Sequence, residues 1–143
     1  MLIFKKPSET EFRQVQRMAR RYELGNGELQ REQFTILKNN DTLLGFASLR
    51  STEGYTELET LAVSEPHRGQ GWGKMLVQKV QENGPDTIWL ATDMPKYFEK
   101  LKFVTSKQVP RELARKINPD GPPFAKNGGR NRMKAMVFMK KKP

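Results

Sequence analysis

The segment VSEPHRGQGWGKML, residues 63–76, decides the fold of this chain. An apolar run ends at Val63, and three glycines follow at alternate positions: Gly69, Gly71 and Gly73. Glycine accepts positive φ and lets another group approach the main chain closely. Beyond the glycines, apolar residues recur at spacings of three and four, which indicates a helix. The segment therefore predicts a strand that passes into a helix through a glycine-rich turn.

The N-terminus of this expected helix is suited to an anion such as a pyrophosphate. Unpaired N–H groups and the positive end of the helix dipole meet there. Arg68 and Lys74 add two positive charges. Neither G-x-G-x-x-G, typical of dinucleotide sites, nor G-x-x-x-x-G-K-[ST], typical of nucleotide triphosphatases, is present. The pattern that is present is R-x-x-G-x-G, formed by Arg68, Gly71 and Gly73.

Length and composition indicate a single domain over residues 1–143. Apolar residues make up 36% of the chain and charged residues 29%, which leaves a modest core. No apolar run approaches the length of a membrane span, and the N-terminal run is too short for a secretory signal. We therefore expect a soluble cytoplasmic protein with no membrane partner. The absence of cysteine excludes disulfides, thiolate metal ligands and a cysteine nucleophile.

The net charge of +10 is concentrated in the C-terminal third. From Lys100 onward, 13 lysines and arginines stand against 2 acidic residues, which is a net charge of +11. A solvated, solubilising surface would account for this charge. The alternatives are attraction of a polyanionic ligand, an acidic substrate or a nucleic acid.

The remaining elements follow from apolar spacing and turn residues. Ser8 and Glu11 form a capping box in front of an apolar helix face. Residues 25–27 break that helix, and residues 118–132, rich in Pro, Gly and charge, predict a mobile loop. The expected strands are 2–5, 34–37, 43–49, 55–63, 88–91, 103–109 and 133–139, and the expected helices are 9–22, one beginning at 72, 96–101 and 110–117.

The glycine turn, the strand before it and the later segment YFEKLKF, residues 97–103, together closely resemble the acetyl-CoA-binding region of the GNAT family of N-acetyltransferases. The resemblance implies an α/β (α+β) fold with a mixed central sheet of six to seven strands and flanking helices. It also implies an antiparallel N-terminal meander and splayed fourth and fifth strands. The segment after residue 97 is similar, more weakly, to members of the N-acetylglutamate synthase type.

The resemblance also implies a cofactor site for acetyl-CoA, with the pantetheine along the fourth strand and the diphosphate on the glycine turn. Taken singly, the apolar positions are equally compatible with core packing, the basic positions with solvation and the glycines with a tight turn. The implied cofactor residues are Leu61, Ala62, Val63, Arg68, Gly69, Gln70, Gly71, Trp72, Gly73, Lys74 and Phe98.

Acetyl transfer to an amine needs a general base and a donor for the oxyanion. Glu57 occupies the position that resembles the base of histone-acetylating GNAT enzymes, and the backbone N–H of Leu61 would be the oxyanion donor. Strand alternation predicts that Glu57 and Glu59 share one face, on which each would raise the proton affinity of the other. The alternative is that both merely line a solvated face. The same alternation puts Tyr55, Glu57, Glu59, Leu61 and Val63 on one face and Leu58, Thr60 and Ala62 on the other.

The proton donor for the leaving thiolate is where the sequence departs from the family pattern. The usual tyrosine position falls on Phe98, and Tyr97 lies one residue earlier, about 100° away around a helix. Tyr97 is therefore not expected to replace it directly. The alternatives are departure without a tyrosine, another donor such as Tyr55, or weak activity. Lys102 replaces a common glycine of the same segment.

The expected function is acetyl-CoA-dependent N-acetylation of a small primary amine, an amino acid being one candidate. An amino-acid carboxylate would pair with arginine, for which the candidates are Arg111, Arg115, Arg130 and Arg132. A CoA-binding regulatory module with little turnover is one alternative, and a basic nucleic-acid-binding domain, which no motif favours, is another. No metal site is expected, because His67 is the single histidine. A monomer or a homodimer fits the sequence equally well.

Overall fold

The computed structural model describes residues 1–24, 29–52, 54–82, 84, 86–117 and 136–143. Helices pack on a seven-stranded mixed sheet in which the strand order is β1-β2-β3-β4-β5-β7-β6. In chain order the elements are β1 (Leu2–Lys5), α1 (Glu9–Arg21), β2 (Phe34–Asn39), β3 (Thr42–Thr52), β4 (Tyr55–Val63), α2 (Trp72–Glu82), β5 (Ile88–Thr92), α3 (Pro95–Lys100), β6 (Val104–Thr105), α4 (Arg111–Ile117) and β7 (Val137–Lys141).

Helix α1 begins as the capping box predicts. Ser8 Oγ accepts a hydrogen bond from the Glu11 backbone N–H at 3.1 Å, and the Ser8 N–H donates to Glu11 Oε1 at 2.9 Å. Lys5 and Lys38 each place Nζ 2.8 Å from a carboxylate oxygen of Glu11. These contacts lower the pKa of Glu11 from 4.5 to about 2, with the Lys38 hydrogen bond as the largest cause. The helix ends at Arg21, with Tyr22 as its C-cap residue, one residue earlier than expected.

The sheet has an apolar cluster on each face, because its central strands are covered on both sides. Along β2 the neighbours Ile36 and Leu37 enter opposite clusters, and along β3 Phe46 and Ala47 do the same. The α1 side contains Val15, Ala19, Phe34, Ile36, Leu43, Phe46 and Ala62. The α2 side contains Leu37, Leu44, Ala47, Leu58, Leu76, Val77, Val80, Ile88, Leu90, Leu101, Phe103 and Met139.

A β-bulge in β4 overturns part of the expected face assignment. Ser48 pairs with Thr60, but the next residue, Leu49, pairs with Leu58, so Glu59 is the extra residue. An extra residue changes the phase of side-chain alternation in the rest of the strand. Leu61 therefore packs with Leu58 on the α2 side, whereas Ala62 packs on the α1 side. The prediction that Leu61 shares a face with Glu57 and Glu59 was wrong for this reason.

Strands β4 and β5 splay apart as expected. They run parallel and pair at a single register position, Glu57 opposite Trp89. Beyond that position β4 keeps its pairing with β3, and β5 pairs with β7. The main chain of β4 from Leu58 to Val63 is therefore unpaired toward β5, which leaves a gap that opens at the glycine turn.

Several element bounds differ from expectation. β3 extends to Thr52. β6 holds two residues because the chain turns after Ser106, whose Oγ donates to the Gln108 carbonyl at 3.0 Å. β7 ends at Lys141, two residues later than predicted. The predicted breaks at 25–27, the predicted loop 118–132 and the start of the predicted last strand, 133–135, lie outside the described residues.

Candidate functional site

A cleft of about 480 Å³ opens where β4 and β5 diverge. Its walls come from the end of β4, the glycine turn, the first turn of α2 and helix α3. The α2 helix begins directly after Gly71, and the N–H of Met75 bonds to the Gly71 carbonyl at 3.2 Å. The N–H groups of the first helical turn before Met75 therefore have no partner within the helix. The cleft combines an unpaired strand edge with a helix N-terminus.

The glycines of the turn differ in what surrounds them. Gly69 and Gly71 have φ of +84° and +88°, and no described atom lies within 4 Å of a Cβ built on either. Their backbone is therefore accessible to a ligand, which fits the expected role. Gly73 is instead tightly packed: its Cβ would lie 2.7 Å from the Tyr97 hydroxyl oxygen and 3.8 Å from Val63 Cγ2. A glycine is needed at position 73 because α2 and α3 pack closely there, and not because a ligand needs room.

Arg68 is anchored at the mouth of the cleft. Its Nε donates to the Val63 carbonyl at 2.9 Å, and its guanidinium carbon lies 4.8 Å from the centre of the Tyr22 ring. The Tyr22 hydroxyl in turn accepts the backbone N–H of Glu65 at 2.8 Å. The C-cap residue of α1 thus positions the turn and its arginine. The sequence placed Tyr22 only at the end of the predicted helix 9–22.

Helix α3 places two aromatic residues at the cleft. Phe98 packs on the α2-side core, with its ring centre 5.0 Å from that of Tyr97 and 5.7 Å from that of Phe103. Tyr97 is directed toward Gly73, and burial raises the pKa of its hydroxyl, although the positive charge of Arg68 opposes the shift. Tyr97 therefore lines the cleft even though it is rotated by about 100° around α3 from the usual tyrosine position at Phe98. Lys102 has φ of +77°, a conformation that glycine adopts more easily.

Glu57 lies outside the cleft. Its carboxylate is buried, and its Oε1 accepts a hydrogen bond from Lys116 Nζ of α4 at 2.9 Å. The same Nζ donates to Glu59 Oε2 at 2.9 Å, and Arg50 Nη1 lies 3.7 Å from that oxygen. Of the two predicted catalytic residues, Leu61 lines the cleft and Glu57 is four positions upstream on the α1 side of the sheet.

Four buried polar atoms have no hydrogen-bond partner within the described ranges: Ser48 Oγ, Thr60 Oγ1, His67 Nδ1 and Trp72 Nε1. Trp72 lines the cleft, and its indole N–H is one of these buried atoms. A buried donor or acceptor without a partner is costly, which makes each of these atoms a candidate contact for a bound molecule or water.

Two of the four arginines expected to bind an acceptor carboxylate, Arg111 and Arg115, do not line the cleft. Arg111 and Arg115 are exposed on α4, and Arg130 and Arg132 lie outside the described residues. Among the residues that the structure describes, no group of three or more His, Cys, Asp or Glu side chains could hold a metal ion. No helix in the described ranges is long and apolar enough to cross a membrane.

The sequence model of the acetyltransferase (GNAT) family matches residues 3–103. The chain belongs to the GNAT family. The match covers more than two thirds of the chain and includes every described residue that lines the cleft, from Tyr22 to Leu101.

Solved acetyltransferase structures share this GNAT fold. N-acetylglutamate synthase from Neisseria gonorrhoeae, solved with coenzyme A and N-acetyl-glutamate, is 16% identical with a TM-score of 0.74, and the match covers 99% of this chain but 35% of that one. The ribosomal-protein-S18-alanine N-acetyltransferase from Escherichia coli is 16% identical with a TM-score of 0.63, covering 99% and 94%. Arabidopsis thaliana Naa50, solved with a bisubstrate analogue, is 14% identical with a TM-score of 0.62, covering 99% of both chains.

This GNAT chain thus spans about a third of the synthase and nearly all of the other two proteins. A search of curated proteins found no match. At these identities the likeness to solved structures shows the fold alone.

In this GNAT chain the cleft brings together ten of the eleven residues predicted for the cofactor. Gln70 is the exception, since it belongs to the turn but is exposed to solvent and does not line the cleft. Six lining residues were missed by the sequence reasoning, because they come from the ends of helices α1 and α3 and their flanks, which only folding brings to β4. They are Tyr22, Leu24, Met94, Tyr97, Lys100 and Leu101.

Proposed function

We propose that this GNAT protein transfers the acetyl group of acetyl-CoA to a primary amine of a small molecule, an amino acid being one candidate, by direct attack in a ternary complex. The observation that carries the proposal is the cleft in which the unpaired edge of β4, the open glycine turn and the α2 N-terminus meet. The absence of cysteine supports direct attack, because no thiol is available to carry the acetyl group.

The residues of the cleft fit acetyl-CoA. The open backbone at Gly69 and Gly71 and the charges of Arg68 and Lys74 suit a diphosphate. The edge of β4 from Leu61 to Val63 suits the pantetheine, whose amides would pair with strand main chain. Acetyl-CoA supplies the activated acetyl group as a thioester.

The chain's own residues supply the proton transfers. Glu57 is the proposed base and accepts a proton from the acceptor ammonium, so that a neutral amine attacks and the new N–C bond replaces the C–S bond. The second proton that the nitrogen loses balances the proton given to the leaving sulfur. The backbone N–H of Leu61 is the proposed donor to the carbonyl oxygen during attack. Tyr97 is the best-placed proton donor for the leaving sulfur, because it lines the cleft and a tyrosine hydroxyl carries its proton at neutral pH. Burial raises the pKa of this hydroxyl further. Tyr55 does not line the cleft.

A CoA-binding module with little turnover is the second candidate. It is favoured by the contact of Lys116 with Glu57, which neutralises the proposed base, and by Phe98 at the usual tyrosine position. A single domain, an intracellular location and a monomeric or homodimeric state stay predictions from the sequence.

One experiment separates these functions. Purified protein is titrated with acetyl-CoA by calorimetry, and thiol release is then followed with a panel of amines that includes amino acids and polyamines. Binding with thiol release supports the transferase. Binding without release from any amine supports the module. Absence of binding contradicts both, and salt-dependent binding of DNA or RNA would then favour the nucleic-acid alternative.

A further inference from the structure

The ammonium of Lys116 sits between two carboxylates. Its Nζ lies 2.9 Å from Glu57 Oε1 and 2.9 Å from Glu59 Oε2. The Glu57 side chain is 8% exposed, that of Glu59 29% and that of Lys116 35%. Burial lowers the pKa of Lys116, but hydrogen bonds to both carboxylates outweigh burial and leave the pKa raised. The carboxylate pair therefore stabilises a protonated alkylamine.

The two carboxylates reach the same nitrogen from alternate positions of β4, as strand alternation predicts. Because Glu59 is the extra residue of the bulge, the strand then continues with Thr60 on the same side of the sheet as Glu57 and Glu59. Thr60 pairs with Ser48 of the neighbouring strand β3. This pair is the next one along the same face of the sheet after the pair Arg50 and Glu57. Both hydroxyls are at least nine-tenths buried and lack a partner in the described part of the chain. Unused hydrogen-bonding capacity thus lies beside the carboxylates, on the side toward the cleft residue Ala62.

We propose that the Glu57–Glu59 pair is the binding site for the acceptor's ammonium group, that Lys116 is an internal substitute for that group, and that the acceptor is an unbranched aliphatic amine such as a polyamine or a lysine side chain. This inference rests on the function proposed above and narrows its acceptor class.

The charges favour an alkylamine over an α-amino acid. The carboxylate of an α-amino acid lies two bonds from its nitrogen, so at this site it would come close to two further carboxylates. Arg50 lies 3.7 Å from Glu59 Oε2, so its charge is already set against that carboxylate. A neutral alkyl chain next to the nitrogen avoids this repulsion, as the stem of Lys116 does.

An incoming cationic amine can replace the Lys116 ammonium and keep the two carboxylates paired. Lys116 lies on a seven-residue helix and is partly exposed, so its side chain can leave without unpairing the sheet. Glu57 is buried and needs a cation in its place, because an unpaired buried carboxylate is strongly unfavourable. A cationic acceptor supplies that charge, and a neutral or anionic one does not.

The test compares acceptors at saturating acetyl-CoA by thiol release. Putrescine and a peptide with one lysine and a blocked N-terminus represent the two sources of alkylamine, and glutamate and alanine represent α-amino acids. We expect kcat/KM for at least one alkylamine to exceed that for both amino acids by about 10-fold or more, the size of one charge-assisted hydrogen bond. Putrescine and the peptide separate a small-molecule acceptor from a protein one. Amino acids as equal or better acceptors would overturn the inference.

Two variants, each with a control, test whether the acceptor's ammonium binds at Glu57 and Glu59. Glu59→Gln should raise KM for the preferred alkylamine about 10-fold or more and leave the acetyl-CoA Kd unchanged, whereas Glu112→Gln, which removes a charge from the exposed face of α4, should change neither. An unchanged KM in Glu59→Gln refutes the site. Lys116→Met should lower KM, because the internal competitor is removed, and the exposed Lys107→Met is its control.

Direct binding of putrescine tests the ammonium site even if the protein transfers no acetyl group. If no amine releases thiol, putrescine is titrated calorimetrically into the protein and into Glu59→Gln in the presence of CoA. Binding that Glu59→Gln weakens supports the ammonium site without catalysis, and absence of putrescine binding overturns it. Absence of acetyl-CoA binding contradicts the function itself and leaves the putrescine titration, repeated without CoA, to decide the site.

Discussion

Replacement of Gly71 by alanine tests the cofactor site most directly, because its two effects are separable. Gly71 has φ of +88°, and no described atom lies within 4 Å of the added Cβ. The substitution therefore meets no protein atom, but it forces a side chain into the left-handed region at a cost of about 1 to 2 kcal/mol. For a chain of this length that cost lowers Tm by roughly 3 to 10 °C.

The effect on acetyl-CoA should be larger than the strain alone explains. The new methyl group would project into the open space over the turn, where the diphosphate is proposed to contact the backbone. Loss of one charge-assisted hydrogen bond is worth about 2 kcal/mol, so we expect the Kd to rise about 30-fold or more. Calorimetric titration with acetyl-CoA measures this change, and thermal unfolding measures the strain.

Gly54→Ala is the matched control. Gly54 has φ of +100°, also has no described atom within 4 Å of an added Cβ, and does not line the cleft. It should lose a similar amount of stability while its acetyl-CoA Kd stays unchanged. Equal Kd values for Gly71→Ala and the unmodified protein would refute the placement of the diphosphate. Equal weakening by Gly54→Ala would attribute the loss to general strain.

Three further predictions concern thiol release and the free energy of unfolding. Glu57→Gln should lower the rate of thiol release about 100-fold or more with the acetyl-CoA Kd preserved, and a silent variant would move the base elsewhere. Tyr97→Phe should lower kcat but leave KM for the amine unchanged, and an unaltered kcat would mean that the thiolate leaves without this hydroxyl. Glu11→Gln should lower the free energy of unfolding at pH 7 by about 1 to 2 kcal/mol, since its ion pairs are partly screened. Because the folded pKa of Glu11 is depressed to about 2 from 4.5, this difference should shrink as pH falls below 4.5 and vanish below about 2, and a constant difference in denaturant titrations across that range would contradict the role of the ion pairs.

Local signals predicted most of the fold. The capping box of Ser8 and Glu11 starts α1 where expected, and the glycines at 69 and 71 adopt positive φ at the turn before α2. Such features depend on residues within a few positions of one another, so the sequence states them directly. The splay of β4 and β5 followed from the family resemblance, and not from any local signal.

The arrangement around β4 could not be predicted in the same way. Strict alternation gave the wrong face for Leu61, because a bulge is set by pairing with β3 and leaves no clear sign in the strand's own residues. The prediction that Tyr97 would not replace a tyrosine at position 98 considers helix α3 in isolation. The packing of α3 against Gly73 brings the Tyr97 hydroxyl to the cleft in spite of the offset between the two positions.

The sequence by itself therefore determined the glycine turn and most of the order of elements, because these follow from local spacing and turn residues. The family came from the resemblance of its motifs. Tertiary structure alone decided that Tyr22 anchors Arg68 and that Lys116 lies between Glu57 and Glu59. The physical reason is that each contact joins residues more than 40 positions apart, and only sheet pairing and helix packing set the distance between them.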